Sequence, residues 1–139
     1  MSRGNVELFR EALDAFNRRD KAAWLAFYDP EFENVPPRDW PEAAAIKGPE
    51  GTWDFYVESQ EPWEGAPFEV GELIDAGDKV VAETLAQVRG KSSGAAVAWS
   101  YWHVVTFRDG KALRSEWFTE RAEALEAAGL PGTRPPTDQ

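Results

Sequence analysis

The chain has 139 residues, no cysteine, one histidine and a formal net charge of −10. The length predicts one domain, and a hydrophobic content of 42% is enough to bury a core. The acidic balance argues against nucleic acid and anionic membrane surfaces as partners. Without cysteine there is no disulfide or thiol nucleophile, and one histidine rules out a multi-histidine metal site. We therefore expect no metal and no cofactor. With no membrane span of about 20 apolar residues and no signal-peptide core, we expect a cytoplasmic protein.

The first two predicted elements are helices. Apolar side chains recur with helical spacing over residues 6–16, and either Asn5 or Ser2 is a suitable N-cap. Asp20 is a typical N-cap for a short second helix over residues 21–28, which we expect to end before the next proline.

A short strand and a third helix follow. Residues 31–35 alternate weakly and predict the strand, after which a proline-rich stretch predicts an irregular loop. The third helix starts at Gly48-Pro49, because proline is favoured at the first helical position, and ends at Glu61-Pro62. Trp40 and Trp63 fall in loop-like stretches, and the sequence leaves open whether they form a lid or anchor loops.

From residue 67 the hydrophobic period changes to two and predicts four antiparallel strands. They cover residues 68–74, 79–89, 95–108 and 113–119. Asp109-Gly110 is a typical hairpin turn, and a terminal helix over residues 122–128 ends at Gly129. Helices followed by antiparallel strands indicate an α+β fold with helices packed on one face of a curved sheet. We expect one domain over residues 1–130 and a mobile polar tail over residues 131–139.

Five short motifs fall at the ends of these elements. They are Phe16-Asn17-Arg18-Arg19-Asp20, Lys47-Gly48, Asp75-Ala76-Gly77-Asp78, Arg108-Asp109-Gly110-Lys111 and Glu123-Ala124-Leu125-Glu126-Ala127-Ala128-Gly129-Leu130. With the element order they resemble the nuclear transport factor 2-like superfamily, and within it the small bacterial SnoaL-like proteins, over residues 5–130. The resemblance implies a cone-shaped curved sheet with N-terminal helices over a pocket. Because members include isomerases, polyketide cyclases, epoxide hydrolases and binding proteins, it implies the fold better than the activity.

In such a cone, alternate side chains of the long strands face the pocket. The expected inward set is Val80, Ala82, Thr84, Ala86, Val88, Trp99, Tyr101, His103, Val105, Leu113, Ser115, Trp117 and Thr119. The opposite parity places Trp102, Val104 and Phe118 on the convex face. Since a monomer rarely exposes such a set together, we expect a homodimer through this face, as in many members of the superfamily. The alternative is that the terminal helix or the tail covers it.

His103 is the candidate catalytic residue because imidazole titrates near neutral pH. The resemblance places it where ketosteroid isomerases carry an acid that donates a hydrogen bond to the forming enolate. The other reading is a core histidine with both nitrogens satisfied. The rest of the isomerase set is missing: Ala12 replaces the catalytic tyrosine, and Val35 or Asn34 replaces the proton-shuttling aspartate. Only Tyr56 matches, as the supporting tyrosine. Asn34 also matches the water-holding asparagine of epoxide hydrolases, whose carboxylates are absent.

Seven Trp, eight Phe and three Tyr predict an aromatic pocket for a small hydrophobic molecule. Besides His103, the expected binding residues are Phe16, Asn34, Phe55, Tyr56, Thr84, Trp99, Tyr101, Ser115 and Trp117. Three functional hypotheses stay open. The first is a cofactor-free lyase, isomerase, dehydratase or cyclase that uses His103. The second is a non-catalytic binder of a small apolar molecule, and the third is a structural dimer.

Overall fold

The computed structural model describes residues 4–37, 44–65 and 67–130, so Ser2, Trp40 and the expected tail over residues 131–139 lie outside the described residues. Its helices are α1 Asn5–Asn17, α2 Lys21–Leu25, α3 Pro49–Gln60 and α4 Arg121–Ala127. Its strands are β1 Tyr28–Val35, β2 Ile46–Lys47, β3 Trp63–Gly65, β4 Glu69–Ala76, β5 Lys79–Gly90, β6 Ala96–Arg108 and β7 Lys111–Phe118. The α+β prediction is confirmed. None of the helices described is long and apolar enough to cross a bilayer.

The strands form one mixed sheet in the order β2-β1-β7-β6-β5-β3, with β4 also paired to β5. The predicted succession of antiparallel strands is confirmed for β4 to β7. The sheet extends further than predicted, because β1 runs parallel to β7 and β3 pairs with the far end of β5. The longest strands, β5 and β6, pair along most of their length and carry four of the predicted site residues, Thr84, Trp99, Tyr101 and His103.

Local sequence signals explain several element ends. The Asp20 carboxylate accepts a hydrogen bond from the Ala23 amide at 3.2 Å, which confirms it as the N-cap of α2. Pro49 lies in the first turn of α3, as predicted. The turn between β6 and β7 has positive φ at both Asp109 (54°) and Gly110 (79°), the backbone that a tight hairpin requires.

Two predicted boundaries are wrong. Gly4, not Asn5, is the N-cap of α1, and the Asn5 amide instead donates to the carbonyl of Gly77 at 3.1 Å. The second helix ends at Leu25 rather than near residue 28, because Tyr28 opens β1 and pairs with Ala112 of β7. A long-range strand partner therefore overrides the helical pattern there.

The C-terminal helix α4 covers the convex face of the sheet. Trp102 and Val104 keep only 7% and 0% of their surface exposed, packed with Leu125 and Ala124 of α4. Phe118 lies at the edge of the same cluster and is partly buried. The alternative to a dimer interface, cover by the terminal helix, is therefore observed for Trp102 and Val104. The burial of Trp102 and Val104 does not require a second subunit, and the homodimer stays a prediction.

The concave face carries the main core beneath α1. Leu8 of α1 packs against Phe32, Val80 and Val105, all nearly inaccessible. Two expected inward positions on the last strand are wrong. A bulge after Thr106 pairs Phe107 with Ala112 and shifts the parity, so Ala112 takes the buried place expected of Leu113. Thr119 follows the end of β7 and is exposed.

Candidate functional site

Helices α1 to α3 and the concave sheet face enclose a cavity of about 290 Å³. This is close to the lower end of ligand pockets, about 300–1,000 Å³, and suits a small molecule. Of the predicted site residues, Asn34 lies outside the lining. Those that line it are Phe16, Phe55, Tyr56, Thr84, Trp99, Tyr101, His103, Ser115 and Trp117. Their binding role is a prediction, but the fold brings them around one space.

Aromatic rings form a continuous wall of this cavity. The ring of Tyr56 meets Phe16 edge-on at a centroid distance of 5.7 Å and lies 5.6 Å from Trp117. The Trp117 ring in turn contacts Tyr101 at 5.5 Å and His103 at 4.4 Å. Because each ring is held by others, the wall is a rigid surface on which a flat ligand can stack.

The described part of the cavity wall carries no Asp, Glu, Lys or Arg side chain. Its polar groups are instead hydroxyls, an amide and an imidazole, contributed by Tyr28, Tyr56, Ser59, Gln60, Thr84, Tyr101, His103 and Ser115, besides the indoles of Trp24, Trp99 and Trp117. Among the described residues, no three His, Asp or Glu side chains come close enough together to hold a metal ion. The cavity is thus apolar with neutral hydrogen-bonding groups.

His103 is buried and neutral. Only 7% of its surface is exposed, and this burial lowers the pKa of the imidazole to about 3. Its Nε2 lies 2.7 Å from the Thr84 hydroxyl on the neighbouring strand. The described residues give Nδ1 no hydrogen-bond partner. At neutral pH the neutral imidazole of His103 can therefore offer a hydrogen bond, but it is not protonated to the imidazolium form that would act as a general acid.

Asn34 lies fully buried behind the cavity wall. Its Oδ1 accepts hydrogen bonds from the Tyr56 hydroxyl at 3.0 Å and from the indole Nε1 of Trp117 at 2.9 Å. Its Nδ2 is buried and has no hydrogen-bond partner among the residues that the structure describes. Asn34 therefore holds two lining residues in place. Burial raises the pKa of Tyr56 well above its usual value, so this hydroxyl stays protonated.

Phe68 is a lining residue that the sequence prediction missed. Its ring stacks on Phe16 at a centroid distance of 6.0 Å. The Asn17 amide fixes its backbone, with Nδ2 donating to the Phe68 carbonyl at 2.9 Å and Oδ1 accepting from its N–H at 3.1 Å. The sequence signal that could have pointed to Phe68 was Asn17, a polar residue directly after Phe16 in the first motif whose side chain can hydrogen-bond a distant backbone segment.

Further lining residues were missed, most of them on the helices α1 to α3 or in loops and the others on β1 or beside the bulge between β6 and β7. They are Leu8, Phe9, Ala12, Leu13, Trp24, Phe27, Tyr28, Phe32, Ser59, Gln60, Phe107 and Ala112. Trp63 lies in the short strand β3, not in a loop as expected, and its ring meets Trp99 edge-on at 5.4 Å. Trp63 thus contacts a lining residue from a position fixed by strand pairing with β5.

Several solved structures resemble this fold. TerC co-crystallised with polyporic acid has a TM-score of 0.70 and 25% identity, covering 90% of this chain and 98% of that one. An NTF2-like protein from Burkholderia thailandensis has a TM-score of 0.73 and 24% identity, covering 94% and 100%. A Mesorhizobium loti protein described as a candidate SnoaL-like polyketide cyclase has a TM-score of 0.64 and 18% identity, covering 81% and 96%. The last two show the fold alone.

Sequence comparison identifies the family. The model of the SnoaL-like domain matches residues 9–115, which include most of α1, all of α2 and α3, the strands β1 to β6 and the first part of β7. No curated protein matches the chain. The chain therefore belongs to the SnoaL-like domain family of the nuclear transport factor 2-like superfamily.

Proposed function

We propose that this protein binds an uncharged, flat aromatic or polycyclic small molecule in the cavity. The observation that carries the proposal is the composition of the described wall, which combines stacked rings with neutral polar groups and no charged side chain. Aromatic faces bury flat apolar surface well, and a few hydroxyls can orient the polar atoms of such a ligand. An anionic ligand would lose its hydration there without gaining a cationic partner.

The co-crystal of TerC with polyporic acid supports this proposal. TerC has the same fold at 25% identity over 90% of this chain and was co-crystallised with polyporic acid. The proposal for this chain is narrower, because it rests on the wall of its own cavity and specifies a ligand without charge.

Three probes that share one ring system and differ in charge test the proposal. Isothermal titration calorimetry of the full chain with 2-naphthol, 2-naphthoate and 2-naphthyltrimethylammonium compares one ring system in three charge states. We expect saturable 1:1 binding of 2-naphthol and binding of 2-naphthoate weaker by at least about tenfold, the cost of burying an unpaired charge. Tighter binding of naphthoate would overturn the uncharged class. Tighter binding of the ammonium probe would instead assign the rings to recognition of an organic cation.

A cofactor-independent isomerase, lyase or cyclase is the second candidate function. The position of His103 in the cavity favours it, because Thr84 engages Nε2 while the described residues leave Nδ1 without a partner. When the Thr84 hydroxyl donates to Nε2, the proton lies on Nδ1 and can hydrogen-bond a ligand carbonyl. This role uses a neutral imidazole and needs no carboxylate.

The His103→Gln variant separates the two candidates. If His103 polarises a carbonyl, the variant keeps ligand affinity within a few-fold and loses turnover of any substrate found among the bound compounds. Because the pKa of His103 is about 3, the pH–rate profile should be free of a His103 limb near pH 6.5. Unchanged turnover in the variant would remove His103 from the mechanism, whereas absence of turnover of every bound compound by wild type would leave binding as the function of the cavity.

A further inference from the structure

The long hairpin of β5 and β6 extends beyond the strand that flanks it. β6 begins at Ala96, but its pairing with β7 starts only at Trp102, opposite Phe118 at the end of β7. Within the described part of the chain, residues 96–100 therefore pair with β5 on one side and with no strand on the other. We call this second side of residues 96–100 the open edge.

Two backbone hydrogen bonds establish which groups of β6 point to the open edge. The Ala95 carbonyl accepts from the Gly90 N–H at 2.9 Å, and the Phe107 N–H donates to the Asp78 carbonyl at 2.8 Å. The register of β5 with β6 has no shift between these two points, so odd-numbered residues of β6 direct their backbone groups to β5. Even-numbered residues direct theirs to the other side, and those of the open edge are Ala96, Ala98 and Ser100.

The open edge carries none of the features that usually protect a sheet edge. Unpaired N–H and C=O groups are a template for another strand, and proteins protect them with lysine, proline, bulges or inward-pointing charges. Residues 96–100 read Ala-Val-Ala-Trp-Ser and pair with β5 without a bulge. Ala96, Ala98 and Ser100 are all exposed. The edge can therefore hydrogen-bond an extended segment.

The charge distribution favours a second copy of this chain as that segment. A net charge of −10 makes two copies repel each other at long range. No Asp, Glu, Lys or Arg occurs from Ser92 to Phe107, however, and the charges that precede this run are basic, Arg89 and Lys91. Two copies can therefore meet at the open edge without placing like charges opposite each other.

We propose that residues 96–100 pair antiparallel with the same residues of a second copy, so that the two sheets join into one continuous sheet. Ala98 is the middle of the three outward positions. A two-fold axis at Ala98 therefore pairs Ala96 with Ser100 of the partner subunit and uses the backbone groups of all three positions. This interface does not depend on the proposed ligand.

The neighbouring strand and the cavity bear on this register. Centring the pair one residue later would place Ala96 opposite Trp102 of the partner subunit, whose edge β7 already occupies. With the axis at Ala98, Val97 of the partner subunit lies beside Trp99 on the concave side. Because Trp99 lines the cavity, the second copy adds an apolar side chain next to the cavity wall.

Analytical ultracentrifugation of the full chain tests the interface with a matched pair of variants, Ala98→Lys and Gln87→Lys. The two positions lie opposite each other on β6 and β5, and both are exposed, so the variants share one net charge and one face. Only in Ala98→Lys do the two introduced lysines meet across the two-fold axis. We expect a wild-type dimer that Ala98→Lys weakens by about two- to fivefold at low salt and that Gln87→Lys leaves unweakened.

Ala98→Pro removes the central hydrogen bonds of the interface. The Ala98 N–H points to the open edge, so proline there breaks no bond to β5, and edge strands tolerate it. Each copy loses one donor, and the dimer should weaken by about five- to hundredfold. Melting curves check that each variant folds. If Ala98→Pro does not fold, the lysine pair and amide exchange carry the test.

Amide hydrogen exchange reads the open edge directly. In the dimer the amides of Ala96, Ala98 and Ser100 should exchange at least about tenfold more slowly than after dilution to the monomer. The amides of Val97 and Trp99 already bond β5 and should change less. Unprotected amides at the three outward positions of the dimer would overturn the proposal.

Three other outcomes would also overturn it. The first is a wild-type chain that stays monomeric up to about 1 mM. The second is a dimer that both lysine variants weaken equally, because the interface would then lie on the convex face and not at the edge. The third is protection of Ala96, Ala98 and Ser100 in the monomer, because another segment of the same chain would then cover the open edge.

Discussion

Thr84 and His103 lie on neighbouring strands of the concave face, with 2.7 Å between the hydroxyl oxygen and the imidazole Nε2. Register places Ala82 opposite His103 and Tyr101 opposite Thr84, so the hydrogen bond runs diagonally between β5 and β6. The pair gives the apolar cavity a neutral polar group whose protonation is resisted by burial. This relationship determines both how the protein responds to acid and what chemistry His103 can perform.

Acid should destabilise the fold through His103. The imidazole has a pKa of about 3 when folded and near 6.5 when unfolded, so below pH 6.5 the unfolded state binds a proton that the folded state does not. The contribution is fully present above pH 6.5 and declines as the pH falls, by at most about 1.4 kcal/mol per pH unit. Urea unfolding at pH 7.5, 6.0 and 5.0 measures it, since most carboxylates stay ionised in this window.

The control for that experiment is His103→Gln, which cannot take up a proton. Because the chain has one histidine, the difference between the two proteins isolates the His103 contribution from every other group. We expect the variant to lose less stability than wild type between pH 7.5 and 5.0. If the free energy of unfolding fell equally with pH in the two proteins, the folded imidazole would titrate near its ordinary pKa, which would contradict its burial.

The two hydrogen bonds from the Asn17 side chain to the Phe68 backbone should stabilise the fold and the cavity wall. Asn17→Ala removes both hydrogen bonds to the Phe68 backbone and leaves two part-buried groups unpaired, which is expected to cost about 1–3 kcal/mol of unfolding free energy. Affinity for 2-naphthol should fall as well, because Phe68 lines the cavity. Asp14→Ala, which breaks an exposed ion pair with Arg18 on the same helix, should change stability by less than about 1 kcal/mol.

Filling the cavity should block binding without weakening the fold. Ala12 is buried on α1 and lines the cavity, so Ala12→Leu places extra methyl groups in the space for the ligand. We expect 2-naphthol to bind at least about tenfold more weakly, while the free energy of unfolding stays equal or rises by about 0.5–2 kcal/mol. Arg10→Leu adds apolar volume on the exposed side of the same helix and should leave the affinity unchanged. Equal affinities in all three proteins would place the ligand elsewhere.

Because α4 covers the convex face of the sheet, Leu125→Ala should destabilise the fold. Leu125 is 5% exposed and packs with Trp102 and Val104, so truncation should cost about 2–5 kcal/mol. The loosened helix should also expose apolar surface, seen as increased binding of a hydrophobic dye. Light scattering of wild type and variant then tests the predicted homodimer. A wild-type dimer that survives Leu125→Ala would argue that the interface does not depend on this helix.

Local signals in the sequence predicted the fold well where they act within a few residues. Asp20 caps α2, Pro49 starts α3, and Asp109-Gly110 adopts the positive φ angles of the hairpin. The same local reasoning failed at Tyr28, because its strand pairing with Ala112 depends on a segment far along the chain. The three residues of β3 were missed for a similar reason, since only the partner strand β5 makes them extended.

The strand positions around the cavity followed from alternation alone, which places Thr84, His103 and Ser115 on one face. Alternation cannot reveal a bulge, so Leu113 was expected where Ala112 lies. Periodicity also does not show what covers a face, and the burial of Trp102 under α4 depends on tertiary packing. The hydrogen-bond direction at Asn34 needed the atomic positions of its partners.

We propose above all that an uncharged aromatic molecule binds among the rings of this cavity. Two-dimensional ¹H–¹⁵N NMR of the full chain titrated with 2-naphthol tests it most directly, because the shifts map the ligand onto residues. We expect saturable changes at Thr84, His103, Ser115 and the Trp117 indole, with little change in α4. No saturable change, or changes confined to residues outside the cavity wall, would contradict it.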